Sequence, residues 1–267
     1  MPLRFFNIET ARISAVSLTV VSTFQHIGRY CLLLAQVFTK PEKARVYRKL
    51  LVEEFDKIGL QSIGIVGLMV GFMGAVVCIQ TAANIESGWV PGWTIGFTTR
   101  QSVVLEFSST IACLILSGKV GGNIATEIGT MRITEQIDAM EIMGVNTASY
   151  LILPKIIAAV LIFPFIMVIA MFLGIASGAF VGLSSGIVSM ADYQRGLMMQ
   201  FETFQITYSL IKTLVYAFII TSVSAYHGYY THGGPREVGQ SSTRSIVYSM
   251  VLILIANYLL TQILLID

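Results

Sequence analysis

Five long apolar runs, at about residues 58–81, 96–117, 156–183, 206–226 and 246–266, restrict this chain more than any other feature. Each comes close to the roughly 20 residues that cross about 30 Å of hydrocarbon. No water is available in lipid to satisfy free backbone N–H and C=O groups, so such runs must fold as helices that close their own hydrogen bonds. Composition agrees: 55% of residues are hydrophobic, 12% are charged, and mean hydropathy is +0.75, far from the balance of a soluble domain. The expected fold class is an all-α integral membrane protein with five transmembrane helices. One membrane domain, 58–267, follows a helical region, 1–57, that is cytoplasmic or interfacial.

The small residues indicate how the spans pack. Gly67 and Gly71 in the first span are four residues apart, and Gly174, Gly178 and Gly182 extend the same spacing in the third. Such ridges let helix backbones approach closely, either within one subunit or across a dimer. Pro164 predicts a kink in the third span. Cys31, Cys78 and Cys113 stand singly in apolar surroundings and read as small hydrophobes, while His26, His227 and His232 have no metal-ligand spacing.

The connecting segments are amphipathic or charged. From 14 to 38, Phe24, Ile27, Leu34 and Phe38 share one side, with Gln25, Arg29 and Gln36 on others, which predicts an interfacial helix. Polar interruptions and the lack of a small-residue cleavage site argue against a signal peptide. Residues 40–57 carry both charge signs. In 121–146, GGNIATEIGTMRITEQIDAMEIMGVN, helical period places Ile133, Ile137, Met140 and Gly144 on one stripe. Glu127, Thr134, Asp138 and Glu141 fall on another, so the segment is expected as a helix lying on the membrane. With the N-terminus inside, Arg100, Arg195 and Lys212 are the basic residues on the outer side and the rest of the 17 Lys and Arg lie inside. The positive-inside rule then places 121–146 and the loop 226–244 in the cytoplasm, with the C-terminus outside.

Ionisable residues within a span are costly and are functional candidates by default. Glu106 lies roughly 12–15 Å from the outer end of the second span, and Lys212 roughly 9 Å from that of the fourth. The two could pair; alternatively Lys212 snorkels to the headgroups and Glu106 is a structural carboxyl. Motifs for nucleotide or hydrolytic chemistry are missing: the chain contains no GxxxxGK[ST], HExxH or GxSxG. GGPREVGQSST lacks the phosphate-reaching Lys and is expected as a tight cytoplasmic turn, so the chain is not expected to be an enzyme.

EIGTMRITEQIDAMEIMGV closely resembles the signature of the MlaE/YrbE family of ABC-transporter permeases, and the similarity runs on through LILPKIIA. The resemblance implies that 121–146 is a coupling helix docking into a separate ABC ATPase subunit, with Glu127, Arg132, Glu135, Asp138 and Glu141 as coupling residues. It implies a homodimer in the bacterial inner membrane, an N-terminal helix at the interface, and a periplasmic MCE-domain protein as partner. ATP and Mg would be bound by the ATPase, with no cofactor in this chain and no nucleic acid. It further implies a phospholipid cavity open to the periplasm, carried here by Val77, Gln80, Glu106 and Lys212. In LEFSSTI, Leu105 stands where the family often has Arg, and Ser108–Ser109 replace Gly-Pro. Trp89, Pro91 and Trp93 in the outer loop would anchor at the interface or meet a periplasmic partner. The rival functions are an ion-coupled secondary transporter using Glu106 and Lys212, and a membrane scaffold without transport. Against the first, no internal repeat is visible.

Overall fold

The computed structural model describes residues 24–39, 44–85 and 91–265. Helix α1 covers 24–38. Helix α2 is a continuous rod over 44–84, α-helical at Ala44–Glu54, π-helical at Phe55–Leu60 and α-helical at Gln61–Asn84. Helix α3 runs over 93–133, with π-helical turns at Val103–Ile111 and Ser117–Gly121. Then follow α4 (Gln136–Ile142), α5 (Thr147–Ser184), α6 (Met190–Met198), α7 (Thr203–Tyr229) and α8 (Pro235–Leu265). Among the described residues, five helices are long and apolar enough to cross a membrane: Tyr47–Asn84, Trp93–Ile133, Thr147–Ser184, Thr203–Tyr229 and Pro235–Leu264. The protein is therefore an all-α multi-pass membrane protein.

The spans are longer than the apolar runs because polar residues at their ends stay helical. The 38 residues of α5 rise about 57 Å, well beyond the hydrocarbon. Its start is set by Asn146, whose side chain accepts the Ser149 N–H (3.3 Å) and caps the helix. The same side chain donates to the carbonyls of Gln36 and Thr39 (3.1 and 2.7 Å), tying the end of α1 to the start of α5. Pro154 and Pro164 both lie inside α5.

The glycine ridges join α2 to α5 within one chain. A Cβ on Gly74 would overlap the Gly174 carbonyl, and one on Gly178 would meet Thr99 and the Tyr193 hydroxyl at 2.9 Å. Ser177 Oγ donates to the Gly71 carbonyl (2.5 Å), a polar contact made possible by that close approach.

Three expectations are corrected. Segment 121–146 is not one surface helix: Gly122–Ile133 is the end of α3, with Ile124, Ala125 and Ile128 buried. A Cβ on Gly129 would lie 3.2 Å from Val238, so small residues seat this stretch against α8. The helix breaks at Thr134 and Glu135, where Glu135 takes a left-handed φ of 60°, and only the seven residues of α4 form a separate element. Periodicity carried through the break because no Pro or Gly marks it. The loop 226–244 shrinks to 230–234, since α7 continues to Tyr229 and α8 begins at Pro235, the residue type preferred in a first turn. In the expected outer loop 81–99, residues 81–84 and 93–99 are likewise helical, with Trp93 opening α3; Trp89 lies outside the described residues.

Helix α1 lies against the bundle; residues 14–23 of the expected interfacial helix lie outside the described range. Phe24, Ile27 and Phe38 are exposed, while Leu33 and Val37 are buried against the bundle. His26 Nδ1 and Tyr30 Oη bond to Tyr226 Oη and Ser222 Oγ on α7, both at 2.8 Å.

Gly74→Leu should lower stability by about 1–3 kcal/mol through overpacking. Gly64→Ala, where a Cβ meets nothing within 4 Å, should leave it unchanged or slightly raised. Thermal unfolding of the two variants in detergent checks the difference.

Candidate functional site

Glu106 sits inside the π-helical turn Val103–Ile111. Widening the turn shifts the backbone ladder from i+4 to i+5 partners, and such bulges recur at functional sites. Here the hydroxyls of Ser108 and Ser109 donate to the carbonyls of Val104 and Leu105 (3.3 and 3.2 Å), and Ser209 on α7 also donates to Val104 (2.5 Å). The two serines that replace Gly-Pro thus supply donors to the widened turn.

The Glu106 carboxylate is the centre of a three-helix polar cluster. Its Oε1 accepts from Lys212 Nζ on α7 (2.9 Å), and its Oε2 from Thr110 Oγ1 (2.9 Å) and Asn257 Nδ2 on α8 (3.3 Å). Tyr216 donates to Asn257 Oδ1 (3.0 Å), orienting that amide. The Lys212 ammonium lies 4.4 Å from the Tyr208 ring centroid, a cation–π contact, and Tyr208 Oη bonds Thr261 Oγ1 (2.8 Å). The Lys212 side chain is fully buried, whereas that of Glu106 is 40% exposed. Lys212 therefore does not snorkel. The pair keeps a positive charge inside the bundle and leaves the Glu106 side chain partly exposed.

Val77 and Gln80 are not part of this cluster. They flank Cys78 near the α6 end of α2, where Cys78 packs with Ile95, Val188 and Tyr193. From Ile95 to Glu106 along α3 is about 16 Å at helical rise. Sequence reading missed Thr110, Tyr208, Tyr216, Asn257 and Thr261. Asn257 and Thr261, four residues apart in an apolar span, were the available signal for a polar stripe.

A second constellation occupies the α4 end. Arg132 pairs with Asp138 (2.7 Å) and more distantly with Glu141 (4.0 Å), and its guanidinium lies 5.7 Å from the Tyr229 ring centroid. Glu141 Oε1 accepts from Thr147 Oγ1 (3.0 Å) and Tyr229 Oη (2.9 Å). Arg132, Asp138 and Glu141 thereby brace α4 against the ends of α3, α5 and α7, while Glu135 is exposed at the break. Glu127 lies apart and turns inward: Oε2 meets Lys155 Nζ (2.5 Å) and Oε1 meets Lys57 Nζ (3.1 Å), with Glu54 on the other side of Lys155 (2.6 Å). At the tip, Ile142 and Met143 are 88% and 72% exposed, an apolar pair that the stripe through Met140 and Gly144 did not single out. Among the described residues, no group of three or more His, Cys, Asp or Glu could hold a metal.

Residues 51–263 match the family described as Permease MlaE. The chain belongs to the MlaE permease family. The permease is 32% identical over 238 residues to a probable ABC transporter permease protein of Rickettsia bellii, covering 89% of this chain and 92% of that one. It is 30% identical to a probable ABC transporter permease protein of Synechocystis, covering 89% and 90%. It is also 25% identical over 259 residues to the intermembrane phospholipid transport system permease protein MlaE of Haemophilus influenzae, covering 94% and 96%. The protein is thus the permease component of an ABC-type transporter, and its sequence has no nucleotide-binding motif of its own.

Glu106→Gln leaves Lys212 buried without its counter-charge. Breaking a buried pair costs about 3–5 kcal/mol, and because the Glu106 side chain is only partly enclosed the expected loss is about 1–3 kcal/mol. Adding Lys212→Met should recover at least half of it. Unfolding titrations in mixed micelles check this; equal stability of the single and double variants would count against the pair as the central interaction.

Proposed function

We propose that this permease carries phospholipid between the inner and outer membranes of a bacterium, driven by a separate ATPase that binds ATP and Mg. The observation that supports this best is the Glu106–Lys212 pair, a partly exposed carboxylate held against a fully buried lysine within a membrane bundle. Acyl chains need only a dry wall, and a few placed polar groups suffice to orient a head. The name of the Haemophilus relative, an intermembrane phospholipid transport system permease protein, points to the same substrate class. The partly exposed Glu106 side chain accepts hydrogen bonds from a polar head while the tails lie on apolar helix faces. Val77 and Gln80 form the outer rim of the path rather than its polar centre.

The distribution of Lys and Arg puts the α4 end in the cytoplasm and the α6 end in the periplasm. At the α4 end Ile142 and Met143 insert into a groove of the ATPase as an apolar knob. Glu135 supplies a surface charge, and the Arg132, Asp138 and Glu141 contacts pass displacement of α4 to α3, α5 and α7. Because α3 is a single rod, movement of its cytoplasmic end reaches Glu106. Two copies of the chain would enclose the cavity, with an MCE-domain protein receiving or delivering lipid on the periplasmic side.

The test is affinity purification of the tagged permease in mild detergent, with mass spectrometry of proteins and lipids. The wild type should retain an ATPase with a phosphate loop and enriched phospholipid. Ile142→Asp with Met143→Asp should lower ATPase recovery about ten-fold, a loss of about 1.4 kcal/mol, without changing membrane insertion. Undiminished recovery would remove α4 as the docking element.

A further inference from the structure

A second polar site lies about 30 Å of helix away from the α6 end of α2. Between α2 and α3, at the α4 end, is a crevice of about 730 Å³ whose polar lining includes Lys57, Gln61, Asn123, Thr126, Glu127 and Thr130. Its floor is held by Lys155, 5% exposed, between Glu54 and Glu127. Within that group the two lysines, Lys57 and Lys155, balance the two carboxylates. Lys119 donates to the Gln61 carbonyl at the edge of the crevice and forms no ion pair among the described residues. Lys119 thus stands without a counter-charge at the rim, beside a Glu127 carboxylate that is 38% exposed.

The depth of the crevice matters. From Leu60 to Thr81, α2 rises about 31 Å, the thickness of the hydrocarbon core. Lys57 and Gln61 consequently sit at one membrane boundary, at headgroup level. From Gln61 an exposed apolar stripe descends the same helix through Ile65, Leu68, Phe72 and Val76, at spacings of three and four residues. It ends beside Val77 and Gln80.

We propose that this crevice binds the headgroup of a phosphatidylethanolamine from the leaflet on the α4 side. Lys57 and Lys119 take the phosphate, Glu127 accepts from the ammonium, and the acyl chains lie along the α2 stripe. Charge complementarity identifies the occupant: a phosphate satisfies the Lys119 ammonium that has no ion pair among the described residues, a nearby ammonium satisfies the partly exposed Glu127 side chain, and the stripe gives the tails a continuous apolar track. The inference rests on the lipid-transport reading and adds to it a loading or release site, distinct from the Glu106 cluster and on the opposite side of the membrane.

The experiment uses the full chain in nanodiscs containing phosphatidylethanolamine and phosphatidylglycerol. A phosphatidylethanolamine with a diazirine near its glycerol ester is photolysed, and labelled peptides are mapped by mass spectrometry. Label should saturate on 61–72 and 119–131. It should fall about ten-fold in Lys57→Ala/Lys119→Ala, equivalent to about 1.4 kcal/mol. It should also fall in Thr126→Trp, which fills the crevice and leaves both charges in place. Label on 103–111 should persist in both variants, which also shows that they fold. Excess inorganic phosphate should not compete; competition would mean a free-phosphate site and overturn the lipid assignment. Equal labelling of these peptides in all variants would mean annular lipid only, and would overturn the proposal while leaving the transport reading standing. Absence of label from both 61–131 and 206–216 would remove the transport reading and this inference with it.

Discussion

A lysine ammonium fully enclosed in a membrane bundle cannot be left without a partner, and the arrangement of α3, α7 and α8 follows from satisfying Lys212. Glu106 neutralises it, Tyr208 offers a ring face, and Thr110 and Asn257 occupy the carboxylate's second oxygen. The contacts come from α3, α7 and α8, so the cluster ties the rotation of three spans together. It also explains why the π-helical turn is retained, since the serine hydroxyls at 108 and 109 supply hydrogen bonds to carbonyls within the widened ladder.

Elsewhere the bundle relies on shape. The α2–α5 contact is made by glycines whose backbones touch, which adds dispersion contacts where lipid offers no hydrophobic gain. At the α4 end charge takes over again, because that end reaches beyond hydrocarbon: Lys155 draws α2 and α3 onto α5, and Arg132 ties the break after α3 to α4. Polar and apolar fastening thus alternate along the same rods. Helix α4 is held by a braced set of helix ends rather than carried on a free loop.

Much of the site was legible residue by residue. Glu106 and Lys212 stood out because charge within an apolar run is rare, and their pairing was among the readings that depth allowed. Arg132, Asp138 and Glu141 were recognisable through the resemblance of their segment to a family signature. Asn257, Tyr216 and Thr110 were not singled out, because uncharged polar residues are common enough in membrane helices to pass as packing. Glu127 looked like part of one acidic face with Asp138 and Glu141, but the break at Glu135 turns the two halves of that segment in different directions, and Glu127 faces Lys155.

The sequence by itself determined the all-α class, the five spans and the family, since hydrocarbon thickness demands apolar runs of one length and lipid forbids open backbone groups. Only the tertiary structure decided where the helices end, which glycine ridges meet, and which carboxylate neutralises which lysine. Those outcomes depend on contacts between residues as far apart as 106 and 212 or 54 and 155, set by the rotation and tilt of whole helices. A period of 3.6 residues carries no information about either.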